Sequence, residues 1–303
     1  MKKIITLWIS LFFMFAGQAE VVVKPQISKS APEIDGQYDS AWYGKKTYEF
    51  NRIGFEGALL LRSLIYKDSI YFLIQWKDEE ANTQHKPWRW DGKKKAYVVG
   101  PEREDSLVLR WGINIDNERI NSANDLWMWG SVRTNQGYAD DLYEIVSKKP
   151  LQKGIKQMDF EGEPYHMQYQ GDVGKPCWAT LFKEPAFWAK SDRYNNQVQP
   201  TRSRADVKAK AFWKKNEGWT IEIKRKLSTT NFDDVEFQWG KTYYFDICRE
   251  LLVNAHIIQN INLFEDDLTP EESNPLVLEM PMKIKIKSRE NSDKKVEGVD
   301  EKN

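Results

Sequence analysis

The chain has 303 residues, 45 basic against 45 acidic, and 13% of them are aromatic. A neutral balance carries no electrostatic footprint for nucleic acid. Two cysteines, Cys177 and Cys248, are too few for a disulfide scaffold and too far apart for a Cys-x-x-Cys motif, although one bridge could join them in an oxidising compartment.

Residues 1–19 read as a secretory signal: Lys2 and Lys3 form a charged start, Ile4 to Ala16 an apolar stretch, and Gly17-Gln18-Ala19 a small-residue cleavage site. The apolar run is shorter than the roughly 20 residues a spanning helix needs. Cleavage after Ala19 leaves 284 residues, with 43 basic and 45 acidic. No Cys follows the apolar stretch to take a lipid, and no later segment is apolar enough to span a bilayer. The expectation is a soluble, exported, periplasmic protein.

The mature chain alternates with period 2. Leu59, Leu61 and Ile65 share a face, as do Ile70, Phe72, Ile74 and Trp76, and Lys67-Asp68-Ser69 between them makes a hairpin. Further strands are expected at Leu107 to Ile115, at Leu126 to Val132, and in a second hairpin. There Val207, Ala209, Ala211 and Trp213 turn through Asn216-Glu217-Gly218 into Trp219, Ile221 and Ile223. Tyr243 to Arg249, Ile257 to Leu263 and Leu276 to Ile286 complete the set, and helical periodicity is nearly absent. Many short strands with polar turns predict an all-β fold, an antiparallel β-sandwich. Lys148 to Arg204, rich in Gly, Pro, Trp and charge, reads as long loop excursions from it. The reading is one domain over 20–287, with a charged, disordered tail at 288–303.

Enzyme signatures are poor. There is no Gly-x-Ser-x-Gly, no phosphate loop and no His-Glu-x-x-His, and His85, His166 and His256 lie far apart. Asp140-Asp141 and Glu265-Asp266-Asp267 lack the spacing of a calcium loop and read as solvated turn carboxylates. The most distinctive stretch is Asn124-Asp125-Leu126-Trp127-Met128-Trp129-Gly130, running on to Gly137-Tyr138-Ala139-Asp140-Asp141. On a strand, Trp127 and Trp129 point one way and Met128 the other. Such a Met is either core filler or an axial sulfur for a soft metal centre.

This stretch resembles the haem-binding domain of the ethylbenzene dehydrogenase γ-subunit family, which includes γ subunits of dimethylsulfide dehydrogenase and chlorate reductase. The resemblance also rests on Ala31-Pro32-Glu33-Ile34-Asp35-Gly36 through Ala41-Trp42, on Ile70 to Asp78, on Pro87-Trp88-Arg89-Trp90 and on Glu104-Asp105-Ser106-Leu107. It covers roughly Ser30 to Met280. The Ile-Asp-Gly opening is shared with carbohydrate-binding modules of similar fold. The resemblance implies a sandwich holding one haem b non-covalently, with Met128 as one axial ligand and His256, where the family carries Lys or His, as the other. Trp127 and Trp129 are taken with them as cofactor-binding residues. Lys224 and Lys226 are weaker alternatives to His256, and His85 and His166 are reserves. No Cys-x-x-Cys-His is present for covalent haem.

Two strong axial ligands leave the iron no open position, so such a centre moves electrons and does not catalyse. The implied partners are periplasmic: a molybdenum and iron–sulfur oxidoreductase or a c-type cytochrome. A carbohydrate-binding module with Trp pairs as sugar platforms, and a haem-free scaffold, are the competing expectations.

Overall fold

Alternating apolar residues bury one face of each strand, and two such faces close a sandwich when they pack together. The computed structural model describes residues 22–51, 55–113, 122–150, 156–160, 163–180, 195–249 and 282–285. Its strands are β1 (Val22–Val23), β2 (Gln26–Ile27), β3 (Tyr48–Asn51), β4 (Glu56–Tyr66), β5 (Ser69–Lys77), β6 (Trp88–Asp91) and β7 (Ala96–Val99). Next come β8 (Ser106–Ile113), β9 (Ser122–Gly130), β10 (Asp140–Ser147), β11 (Lys156–Phe160) and β12 (Glu163–Gly171). The remainder are β13 (Trp178–Thr180), β14 (Asn195–Gln197), β15 (Lys208–Lys214), β16 (Gly218–Lys226), β17 (Thr242–Cys248) and β18 (Met282–Lys285).

A large sheet runs β1-β18-β17-β8-β9-β10-β12-β11, and a smaller one runs β15-β16-β5-β4-β2 with β3 on β4. Most pairs are antiparallel; β1 with β18 and β2 with β4 are parallel. The core between the sheets is aromatic. Phe72 of β5 lies 5.6 Å from Trp111 and 6.2 Å from Trp127, centroid to centroid. Trp76 meets Trp129 at 6.3 Å. The expected β-sandwich is therefore what forms. Among the described residues, no helix is long and apolar enough to cross a membrane.

Both anticipated hairpins are present. β4 and β5 join through Lys67-Asp68, with Lys67 at φ 54°, the left-handed conformation a tight hairpin turn requires. β15 and β16 join through residues 215–217, with Asn216 at φ 68°. The expected strand Ile257 to Leu263 lies outside the described residues.

The region read as loop excursions contains β12, which pairs with β10 and extends the large sheet. Tyr165, Met167 and Tyr169 alternate there with His166, Gln168 and Gln170. The glutamines disguise a strand whose opposite side is only half covered, one strand in from the edge formed by β11. The two cysteines are both buried, and no bridge joins them.

The Ile-Asp-Gly…Ala-Trp opening docks on the outer face of β16. Buried Glu222 accepts from Trp42 Nε1 at 2.7 Å and from the backbone N–H groups of Asp35 at 3.0 Å and Gly36 at 2.9 Å. Gly36 has φ 83°, and a Cβ there would lie 2.6 Å from the Ala211 carbonyl carbon, so no larger residue fits. Burial outweighs these donors and raises the Glu222 carboxyl from 4.5 to about 7. A folded value above the unfolded one makes this group's contribution to stability greatest below pH 4.5 and lost as pH rises through about 7. Glu222→Gln should flatten the fall in stability across that window, measured by urea unfolding at successive pH values. An unchanged slope would contradict the assignment.

Candidate functional site on the outer face of the large sheet

The pleat of β9 sorts its residues into two environments. Asp125, Trp127 and Trp129 face the interior with no exposed surface. Trp127 lies 5.1 Å from Trp111, and Trp129 lies 5.0 Å from Trp219. Met128 faces the opposite side. It is nonetheless buried, in a cluster with Val108, Leu126, Leu142 and Cys248, against which Tyr169 packs.

Register fixes a row across this outer face: Cys248 opposite Val108, Val108 opposite Met128, Met128 opposite Asp140. Adjacent strands lie about 4.8 Å apart, so Met128 is one strand from Asp140 and two from Cys248. Charged groups rim the apolar centre. Asp140 accepts from Arg204 Nη2 at 2.5 Å and Nε at 3.1 Å, and from Trp178 Nε1 at 3.3 Å. The Arg204 guanidinium lies over Gly171, where any Cβ would meet it.

At the other end, the Glu104 carboxylate covers Gly130. It holds the Arg133 guanidinium and accepts from the N–H groups of Val132 at 2.6 Å and Arg133 at 2.9 Å. His85 Nδ1 approaches the same carboxylate at 3.4 Å. Burial, and then the cations Arg133, Lys86 and Arg103, push His85 down to about 3, so it is a neutral imidazole at ordinary pH. Two residues along β9, about 7 Å, separate Met128 from the glycine that Glu104 covers.

Other candidates fall elsewhere. His256 and Glu265-Asp266-Asp267 lie outside the described residues. His166, expected in a loop, is in β12 opposite Ser147, on the face opposite that of Met167 and Tyr169. Lys224 is on the outer face of the small sheet, its Nζ 5.4 Å from the Tyr71 ring centroid. Lys226 shares that face, so the whole sandwich separates both lysines from Met128.

Asp140 and Asp141, expected to be solvated turn carboxylates, instead open β10 and are buried, with 2% and 0% of their surface exposed. The cross-strand partners of β9 explain this: Asp140 sits opposite Met128 and Asp141 opposite Trp127, so both lie under packed layers. Trp127 and Trp129, having no exposed surface, cannot present a platform to a sugar.

The arrangement offers one buried, soft thioether on an apolar patch whose rim is made of paired charges. That donor suits a soft or haem iron, and the row Val108–Met128–Asp140 leaves it directed away from the core. The residues fit a thioether donor to a haem iron.

A sequence model of the family described as ethylbenzene dehydrogenase matches residues 43–248, more than half of the chain. No curated protein matches.

The two faces of β9 should respond differently to substitution. Trp127→Ala removes a ring from the packed core and should cost about 3–5 kcal/mol. Met128→Leu conserves volume and should cost less than about 1.5 kcal/mol. Denaturant unfolding of both variants checks this; equal losses would contradict the two-faced reading.

Proposed function

Because the chain belongs to the ethylbenzene dehydrogenase family, we propose that it is an exported, periplasmic electron-transfer protein or subunit that holds one haem b without covalent attachment. The observation that carries the reading is Met128, a buried thioether facing outward from a strand whose other side is locked into the aromatic core. When bound, the haem would supply one-electron transfer.

The work of this chain is to bind, to exclude water and to fix orientation. Met128 would hold the iron through its thioether. Val108, Leu126 and Leu142 keep water from the sulfur, which favours the reduced, less charged iron. Trp127 and Trp129 hold the strand from behind, so the thioether direction is set by core packing. The paired Arg204 and Arg133 guanidiniums provide donors at the rim for carboxylates of a ligand.

His256 is proposed as the second axial ligand on the resemblance of its segment. His85, a neutral imidazole near the same end of β9, is the alternative among the described residues. Family membership supports a place beside a molybdenum oxidoreductase, with that enzyme or a c-type cytochrome as redox partner.

The test is an absorption spectrum of the protein from the exported fraction, oxidised and then reduced with dithionite, followed by extraction into acidic acetone. A Soret band that sharpens on reduction, with all pigment extracted, is the expected result. A colourless protein from haem-sufficient cells, or pigment that stays with the polypeptide, would overturn the reading.

A further inference from the structure

Behind Met128, on the inner side of the same sheet, the carboxylates of Asp125, Asp141 and Asp234 bring one oxygen each within 4.8 Å of one another, and those of Asp172, Asp233 and Asp234 do the same. All five residues are buried, Asp125 and Asp141 completely. They come from distant parts of the chain: β9, β10, the residue after β12, and the loop after β16. Asp234 belongs to both groups, so the five form one cluster.

The hydrogen bonding within the cluster is half complete in a consistent way. Asp125 Oδ2 accepts from Arg225 Nη1 at 2.6 Å and from the Val235 N–H at 2.9 Å. Asp234 Oδ2 accepts from the Thr229 hydroxyl and from Asn231 Nδ2, the latter at 3.1 Å. Asp172 Oδ2 accepts from Ser203 Oγ at 3.3 Å. In each the other oxygen, Oδ1, is buried without a partner, and Asp141, with no exposed surface, has neither oxygen satisfied.

Buried carboxylate oxygens left without donors are costly. Within the cluster Arg225 sets one positive charge against five carboxylates. The anchored oxygens fix the orientation of Asp125, Asp172 and Asp234, and what remains is a set of buried, unpartnered oxygens in two groups that share Asp234.

We propose that this cluster is a calcium site, with Asp125, Asp141 and Asp234 as its central ligands and Asp172 and Asp233 completing it. All donors are hard oxygens, which select calcium or magnesium over softer metals. Calcium accepts about six to eight oxygens in a flexible shell, which several converging carboxylates supply, whereas magnesium demands near-ideal octahedral geometry and keeps several waters. In each group the oxygens lie within 4.8 Å of one another, which fits one calcium shell. Asp125 and Asp141 belong to the large sheet, Arg225 reaches Asp125 from β16 of the small sheet, and Asp234 follows β16, so the ion would staple the two sheets behind the strand that presents Met128. The proposal does not rest on haem binding.

The test uses the mature protein freed of metal with a chelator and titrated with calcium chloride or magnesium chloride at about pH 8. Calcium should bind by calorimetry with a Kd below about 1 mM and raise the Tm by about 5 °C or more at saturation; magnesium should bind at least roughly tenfold more weakly. Asp141→Asn should weaken calcium binding by roughly tenfold or more. It should also raise the Tm of the metal-free protein, because it replaces a buried carboxyl neither of whose oxygens has a partner. Should that variant fail to fold, Asp172→Asn tests the same loss of affinity. No heat and no Tm shift with millimolar calcium would overturn the site in favour of carboxyls that share protons. Undiminished affinity in a folded variant, or magnesium binding as tightly, would overturn the assignment.

Discussion

Successive residues of a strand project to opposite faces of its sheet, and β9 uses this to separate two kinds of chemistry. Its inward set, Asp125, Trp127 and Trp129, joins the aromatic core and the buried carboxylates. Its outward set, Asn124, Leu126 and Met128, builds an apolar patch with a thioether at its centre and a polar edge. A one-residue slip of register would exchange the two sets, placing both indoles outside and the thioether in the core. The register is held from both sides, by β8 and by β10. The environment of Met128 is thus set by the packing of its neighbours in sequence, which point the other way.

The sandwich also carries polar groups where a purely apolar core would be simpler. Arg225, with no exposed surface, spans from the small sheet to Asp125 and Asp234. Its guanidinium lies 5.2 Å from the Trp127 ring centroid. Breaking a buried ion pair leaves an uncompensated charge and costs more than the pair itself contributes. Such a group therefore fixes how the sheets stack more than it adds to stability. A network holding several carboxylates to one guanidinium is strained by charge alone, and a divalent cation would relieve that strain.

Much of the architecture was legible in the sequence because hydrophobic alternation is a local signal. The hairpins at β4–β5 and β15–β16 follow from residues a few positions apart, and the opposition of Met128 to its flanking tryptophans follows from strand parity alone. What was not legible is non-local. β12 hides behind glutamines on a half-covered face, next to the edge strand β11. Asp140 and Asp141 looked like turn residues, because their burial depends on pairing with Met128 and Trp127 and on Arg204, 64 residues away. The carboxylate cluster draws on β9, β10, β12 and the loop after β16, so no spacing rule for a contiguous loop could find it. One signal was present: Asp125 falls on the same parity as Trp127 and Trp129, and an acid on the apolar side of a strand requires a partner. Glu222 shows the reverse case, a buried acid outside the core whose partners belong to the Ile-Asp-Gly turn 186 residues earlier.

The central claim is that Met128 binds haem iron from the outer face of the large sheet. It is tested most directly by the sulfur-to-iron charge-transfer band that a thioether-ligated ferric haem shows at the red end of the spectrum, recorded for the wild-type protein and for Met128→Leu. The account predicts that the band is present in the wild type and lost in the variant, while near-ultraviolet circular dichroism shows the aromatic core intact. A wild-type haem spectrum without the band, or a folded variant that keeps it, would contradict the account.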